Sequence, residues 1–90
     1  MERRKMKQLV TFEICDGGNN YESFGIYKRK YSDKKIIKDF FGLEQMQEDY
    51  MNKNSYWWYD SLVKIKNRVD IDHDKIKIMR DYGVAYEHDC

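Results

Sequence analysis

The fold is decided by residues 8–26, which read QLVTFEICDGGNNYESFGI. In the first half of this stretch, Val10, Phe12 and Ile14 alternate with polar residues, and this period of two is typical of a half-buried β-strand. The Gly-Gly and Asn-Asn pairs within residues 16–20 supply the positive-φ positions that a hairpin loop requires. The stretch therefore predicts a β-hairpin at the start of the domain.

The return strand of this hairpin is predicted over residues 21–30. It places Phe24 and Ile26 on its even-numbered face. We expect this face to join the even-numbered face of the first strand in the core, while Tyr27 and Arg29 point the other way.

Two helical patterns follow the hairpin. Ser32 can cap the first helix and Gly42 can end it, and the residues between them include a buried stripe of Ile36, Ile37, Phe40 and Phe41. A second pattern covers residues 43–52, with Leu43, Met46, Tyr50 and Met51 on its apolar side. The acidic residues within 44–49 are expected on the solvated side of this second helix.

Residues 56–71 fit a strand better than a helix. The odd-numbered positions are mostly apolar, and β-branched residues are frequent from Leu62 onward, which favours a strand. A helical turn over residues 55–61 stays open, because Trp58, Leu62 and Ile65 also recur at helical spacings.

The last element is a short helix over residues 73–82. Asp72 can cap it, Ile71 and Ile76 can form a hydrophobic staple, and Gly83 can end it in a left-handed conformation. Residues 84–86 then form either a short edge strand or surface chain.

The element order β-β-α-α-β-α predicts an α+β fold. We expect a small two-layer domain with a three-stranded, largely antiparallel sheet and helices on one face. Residues 8–90 form the single domain, and residues 1–7 form either a basic disordered tail or a solvated start to the first strand. The inward face is predicted to carry nine residues: Val10, Phe12, Ile14, Phe24, Ile26, Trp57, Val63, Ile65 and Val69.

Composition excludes several classes of protein. The 90 residues carry 17 basic and 16 acidic side chains and a net charge of +1, which excludes a general polyanion binder and an acidic DNA mimic. No apolar run is long enough for a membrane span or a signal peptide, so we expect a cytoplasmic protein without a membrane partner. Lys, Ile, Tyr and Asn are abundant, whereas alanine occurs once and proline is absent. This bias indicates a low-GC genome, that of a bacterium, a phage or a mobile element.

Catalytic and metal-binding patterns are weak. Cys15, His73, His88 and Cys90 lack the paired spacings of a zinc site. Nothing in the sequence places a histidine beside Cys15 as the base that a nucleophile requires. We therefore expect no enzyme activity, no catalytic residue, no metal and no cofactor, and both cysteines as free thiols.

Charge is segregated along the chain. Residues 1–38 carry ten basic and five acidic side chains, and residues 39–60 carry one and five. On the predicted sheet face away from the helices, aromatic and basic side chains would form a partner-binding surface of Tyr27, Arg29, Trp58, Lys64, Lys66 and Arg68. Such a surface suits a protein partner or single-stranded nucleic acid. The alternative is that Trp58 packs on neighbouring Lys and Arg stems without any binding role.

In size, A/T-rich composition, lack of catalytic motifs and patchy charge, the chain resembles the small phage proteins that block host enzymes, anti-CRISPR inhibitors among them. This resemblance implies a non-enzymatic inhibitor or adaptor that docks on a larger host protein, such as a nucleic-acid-guided nuclease, in the host-cell cytoplasm. The alternative is a small single-stranded nucleic-acid-binding protein that uses the aromatic and basic sheet face. A monomer and a homodimer are both compatible with the sequence.

Overall fold

The predicted hairpin opens a four-stranded antiparallel sheet with the strand order β2-β1-β4-β3. The structure is a computed structural model, and residues 7–88 of it are described. The strands are β1 (Lys7–Asp16), β2 (Asn19–Lys28), β3 (Tyr56–Trp58) and β4 (Ser61–Ile71), and the helices are α1 (Asp33–Phe41) and α2 (His73–Asp81). The predicted α+β class is confirmed. Neither helix is long and apolar enough to cross a membrane.

The sheet has one strand more than predicted, because the single strand expected over residues 56–71 is divided in two. Tyr59 and Asp60 form a tight turn that joins β3 to β4. The helical alternative over residues 55–61 is wrong, since Trp57 pairs with Leu62 in the sheet.

Some predictions at the two chain ends concern residues that lie outside the described range. The basic tail predicted over residues 1–7 lies outside the described residues, except for Lys7, which begins β1. Cys90 also lies outside them, and Cys15 is a free, half-buried thiol.

The length of the first turn sets the register of the hairpin. Only Gly17 and Gly18, both with positive φ, separate β1 from β2. Each even-numbered residue of β1 therefore faces an odd-numbered residue of β2, and Val10 lies opposite Gly25. Since paired residues share a face, Phe24 and Ile26 do not join the even-numbered residues of β1 as predicted.

A β-bulge also changes which residues of β4 lie on each face of the sheet. The register between β1 and β4 shifts at Thr11 and Phe12. Val63 and Ile65 share the face of Phe12, whereas Val69 lies opposite Leu9 on the other face. Four of the nine predicted inward residues thus lie on the opposite side of the sheet from the other five: Phe24, Ile26, Trp57 and Val69.

The helices cover opposite faces of the sheet, not one face as predicted. On the first face, α1 buries Ile36 and Ile37 against a cluster that includes Val10, Phe12, Tyr27, Tyr56 and Val63. On the second face, Ile76 of α2 and Ala85 pack against Ile26 and Ile71, with Leu9 and Phe24 beside them. The consecutive buried residues 10–12 and 25–27 reflect this cover on both sides.

The predicted helix ends are confirmed. The Ser32 hydroxyl accepts a hydrogen bond from the Lys35 N–H, and the Asp72 carboxylate accepts one from the Lys75 N–H. At the end of α2, Gly83 has a φ of 71°. There the N–H groups of residues 83 and 84 donate to the carbonyls of residues 80 and 79, as in a Schellman motif.

The second predicted helix is wrong: residues 43–55 form an irregular loop. The Asp49 carboxylate accepts hydrogen bonds from the N–H groups of Met51 and Asn52, and the Glu48 carboxylate accepts one from the N–H of Asn54. These side chains compete with helical hydrogen bonds for the local backbone, which favours a turn. The acidic stretch therefore shapes a loop instead of solvating a helix.

Both edges of the sheet carry an additional short pairing. Glu48 bridges Tyr56 of β3, and the N–H of Trp57 donates to the Gln47 carbonyl over 3.0 Å. At the other edge, residues 86–88 run parallel to β2 and bond both the N–H and the carbonyl of Ile26 over 2.9 Å. Within the described residues, the chain end thus adds an isolated bridge at Glu87 and not the short edge strand that was one alternative for residues 84–86.

Candidate protein-binding surface

The structure does not assemble the six predicted partner-binding residues on one surface. Tyr27 is fully buried between β2 and α1. Its ring meets that of Phe12 edge-on at 6.3 Å, and its hydroxyl donates a hydrogen bond of 2.8 Å to Asp39. This tyrosine belongs to the core and offers no surface to a partner.

Lys64 and Lys66 lie on the second face of the sheet, and each has a carboxylate beside it. The Lys64 ammonium lies 3.5 Å from Glu13, and the Lys66 ammonium donates a 2.5 Å hydrogen bond to Glu22. This hydrogen bond raises the pKa of Lys66 above its usual value. The two lysines thus neutralise charges of the sheet itself.

Arg29 and Arg68 lie on the first face, near the start of α1. The Arg68 guanidinium donates a 2.6 Å hydrogen bond to Asp33, and Arg29 lies 3.9 Å from Asp70. Both arginines therefore have carboxylate partners, and Arg68 ties β4 to the first turn of α1.

Trp58 also lies on the first face, where it is half-buried. Its ring lies 5.0 Å from that of Phe41 at the end of α1. It packs on this aromatic side chain and against the core of the first face. Trp58 extends the core to the end of the sheet and supports the next residue, Tyr59, whose ring lies 5.6 Å away.

Large apolar side chains are exposed around the short strand β3. We call this group the aromatic edge, and its members are Tyr50, Met51, Trp57 and Tyr59. Tyr50 is 96% exposed, Tyr59 87% and Met51 79%. Tyr50 and Met51 belong to the loop before β3, and Tyr59 belongs to the turn after it. An exposed group of this kind on a small domain is typical of an interaction surface.

The loop that presents Tyr50 is held by side-chain hydrogen bonds. The Asp49 carboxylate accepts bonds of 3.1 Å and 2.9 Å from the N–H groups of Met51 and Asn52, and one of 2.7 Å from the Asn52 side-chain amide. The Asp49 N–H in turn donates to the Ser55 carbonyl over 2.7 Å. These bonds fix the loop backbone while the Tyr50 side chain points into solvent.

Tyr59 is held in an unusual backbone conformation. Its φ of 56° lies in the left-handed region, which favours glycine and is costly for a bulky residue. The turn between β3 and β4 has only two residues, so the hairpin imposes this conformation. A fully presented aromatic ring on a strained turn is a combination found at functional sites.

Sequence reasoning missed the aromatic edge because it placed Tyr50 and Met51 on the apolar side of a helix. A local signal was available: aspartate at position 49 followed by asparagine at 52 and 54 is typical of turns in which side chains bond the backbone. Tyr59 gave no such signal, since its exposure depends on where β3 ends.

Two of the residues considered for chemistry, Cys15 and His88, lie apart. His88 stacks on Tyr27 at 4.8 Å and bonds the backbone of Ile26, whereas Cys15 pairs with Asn20. Asn20 and Ile26 are six residue steps apart along β2, a distance of about 20 Å. Within residues 7–88, no three His, Cys, Asp or Glu side chains are grouped as metal ligands.

Comparison with protein families, with curated proteins and with solved structures finds no match to this chain.

Proposed function

We propose that this chain is a non-enzymatic protein-binding module, an inhibitor or adaptor, that docks on a larger host protein through the aromatic edge. The observation that carries the proposal is the exposure of Tyr50, Met51 and Tyr59 on two turns at either end of β3. Tyr and Trp are the residues that most often dominate the binding energy of protein interfaces.

The turns of the aromatic edge favour tight docking because they are already ordered. The loop around Tyr50 is fixed by Asp49, and the turn at Tyr59 is fixed by the hairpin. Binding therefore orders little additional backbone, and tyrosine loses few side-chain rotamers. More of the contact energy is then available as affinity.

The alternative, single-stranded nucleic acid on the sheet, has less support. Tyr27 cannot stack on a base because it is buried, and the basic residues of the proposed sheet surface have carboxylate partners. A phosphate chain would have to displace these carboxylates before it could bind.

The proposed partner is the class that the sequence indicates, a larger host protein such as a nucleic-acid-guided nuclease. The A/T-rich composition supports an origin in a low-GC bacterium or in a phage that infects one. A nucleic-acid-guided nuclease of such a host is the first partner to assay. The measurements are binding of the chain to the nuclease and inhibition of its cleavage of nucleic acid.

The proposal is tested by capture of a partner from host lysate on the tagged chain, before and after nuclease treatment. We expect one protein to be retained after treatment, and to be lost from the double variant Tyr50→Ala/Tyr59→Ala. Truncating two anchors at an interface lowers affinity by about 2–4 kcal/mol, or roughly 30-fold or more.

The matched control is Tyr82→Ala. Tyr82 is 80% exposed at the end of α2, among a separate group of exposed apolar side chains. Its removal is expected to leave capture unchanged. Equal loss of the partner from both variants, or loss on nuclease treatment alone, would contradict the proposal.

A further inference from the structure

A groove of about 690 Å³ lies between α1 and the chain that follows it. Its cationic wall consists of Lys34, Lys35 and Lys38, and its apolar lining consists of Leu43 and Met46. We call this feature the lysine groove. Its volume is within the range of sites that hold a small ligand or a few peptide side chains.

The lysines of the groove differ from the basic residues of the sheet. Within residues 7–88, no carboxylate lies at ion-pair distance from Lys34, Lys35 or Lys38. Lys34 and Lys38 are also one turn apart on α1, where like charges destabilise a helix. The groove thus concentrates positive charge that the protein does not neutralise.

Charge complementarity identifies the occupant. We propose that the lysine groove binds an acidic peptide segment that places one apolar side chain against Leu43 and Met46. Carboxylates of the segment would pair with Lys34, Lys35 and Lys38 at the rim. Methionine is suited to such a contact because its flexible side chain adapts to different apolar shapes.

A peptide fits the lysine groove better than nucleic acid does. None of the side chains that line the groove is aromatic, so a base would find no ring on which to stack. The nearby ring of Tyr31 is covered by the ammonium group of Lys35 at 4.6 Å. Asp39 also lines the groove, and its carboxylate accepts a hydrogen bond from the Tyr27 hydroxyl on the core side.

The proposal does not depend on the aromatic edge. The groove lies beside α1, and its lining shares no residue with the aromatic edge. A probe peptide therefore binds or fails to bind in the groove whatever docks at the other surface, and failure of one proposal leaves the other standing.

The test is a titration of the whole chain, labelled with ¹³C on the methionine methyl groups, followed by NMR. The probe is a short synthetic peptide with a central leucine between glutamates. We expect a saturable shift of the Met46 methyl signal, assigned with Met46→Leu, while the Met79 signal stays in place. Replacing the leucine by serine, or the glutamates by glutamines, should weaken binding.

Charge variants give the second readout. The triple variant Lys34→Gln/Lys35→Gln/Lys38→Gln should bind the peptide about tenfold more weakly, since each exposed ion pair contributes about a factor of two. Lys38→Gln alone should weaken binding about twofold, and Lys75→Gln, on exposed α2, should not change it.

Three results would overturn the proposal. The first is an unmoved Met46 signal at saturating peptide. The second is an oligothymidine strand that shifts the same signal and displaces the peptide, which would identify nucleic acid as the occupant. The third is an equal loss of affinity in Lys38→Gln and Lys75→Gln, which would show attraction by overall charge only.

Discussion

Tyr59 combines a left-handed backbone with a fully presented ring. Its φ of 56° is imposed by the two-residue turn between β3 and β4, and its ring lies 5.6 Å from that of Trp58. A residue without this strain, such as glycine, would be better for stability at this position. The presence of tyrosine there is therefore understood if the ring contacts a partner.

At most positions an alanine variant is more stable than a glycine variant, but the strain at Tyr59 predicts the opposite order there. Tyr59→Gly should be more stable than Tyr59→Ala by about 1 kcal/mol, because only alanine keeps a side-chain clash at positive φ. Both variants lose the ring and should capture less of the partner than wild type. Urea unfolding measures the difference, and an alanine variant as stable as the glycine variant would show that the turn is unstrained.

Among the elements, the chain end that pairs with β2 is held by ion pairs. Glu87 lies between the ammonium of Lys7 and the guanidinium of Arg80, and it follows Tyr86, whose carbonyl accepts from Ile26. The hydrogen bond from Lys7 is the main cause that lowers the pKa of Glu87 below its ordinary value of 4.5, and Arg80 and His73 add to it.

This lowered pKa predicts a loss of stability in acid. Because the pKa is lower in the folded state, the stabilisation by Glu87 is complete above about pH 4.5 and is lost as pH falls through the folded value. Wild type should be more stable than Glu87→Gln by up to about 1 kcal/mol at pH 7, and this difference should shrink as the pH falls below 4.5. Urea unfolding at several pH values checks this, and a difference independent of pH would contradict it.

The elements also show which parts of the fold are readable from sequence. The hairpin, α1 and α2 were predicted because their turns and caps depend on residues close in sequence, such as Gly17, Ser32 and Asp72. The faces of the strands were not, because they depend on turn length and on the bulge at Thr11. The false helix over residues 43–52 arose because apolar spacing ignores the competing bonds of Asp49.

On the scale of the whole molecule, the basic side chains of the sheet and those of α1 differ in whether they have carboxylate partners. Lys64, Lys66 and Arg68 of the sheet pair with carboxylates, whereas within residues 7–88 no carboxylate lies at ion-pair distance from the lysines of the groove. The predicted site mixed residues from both faces and from the core, since exposure is a tertiary property. The aromatic edge and the lysine groove are the two surfaces that we propose for partners.

The most direct test of the central claim is photo-crosslinking in host lysate with p-benzoylphenylalanine in place of single tyrosines. We expect one crosslinked protein adduct from position 59 and from position 50, formed equally after nuclease treatment, and none from position 82. An adduct from position 82 but not from positions 50 and 59 would contradict the claim that the aromatic edge is the docking surface.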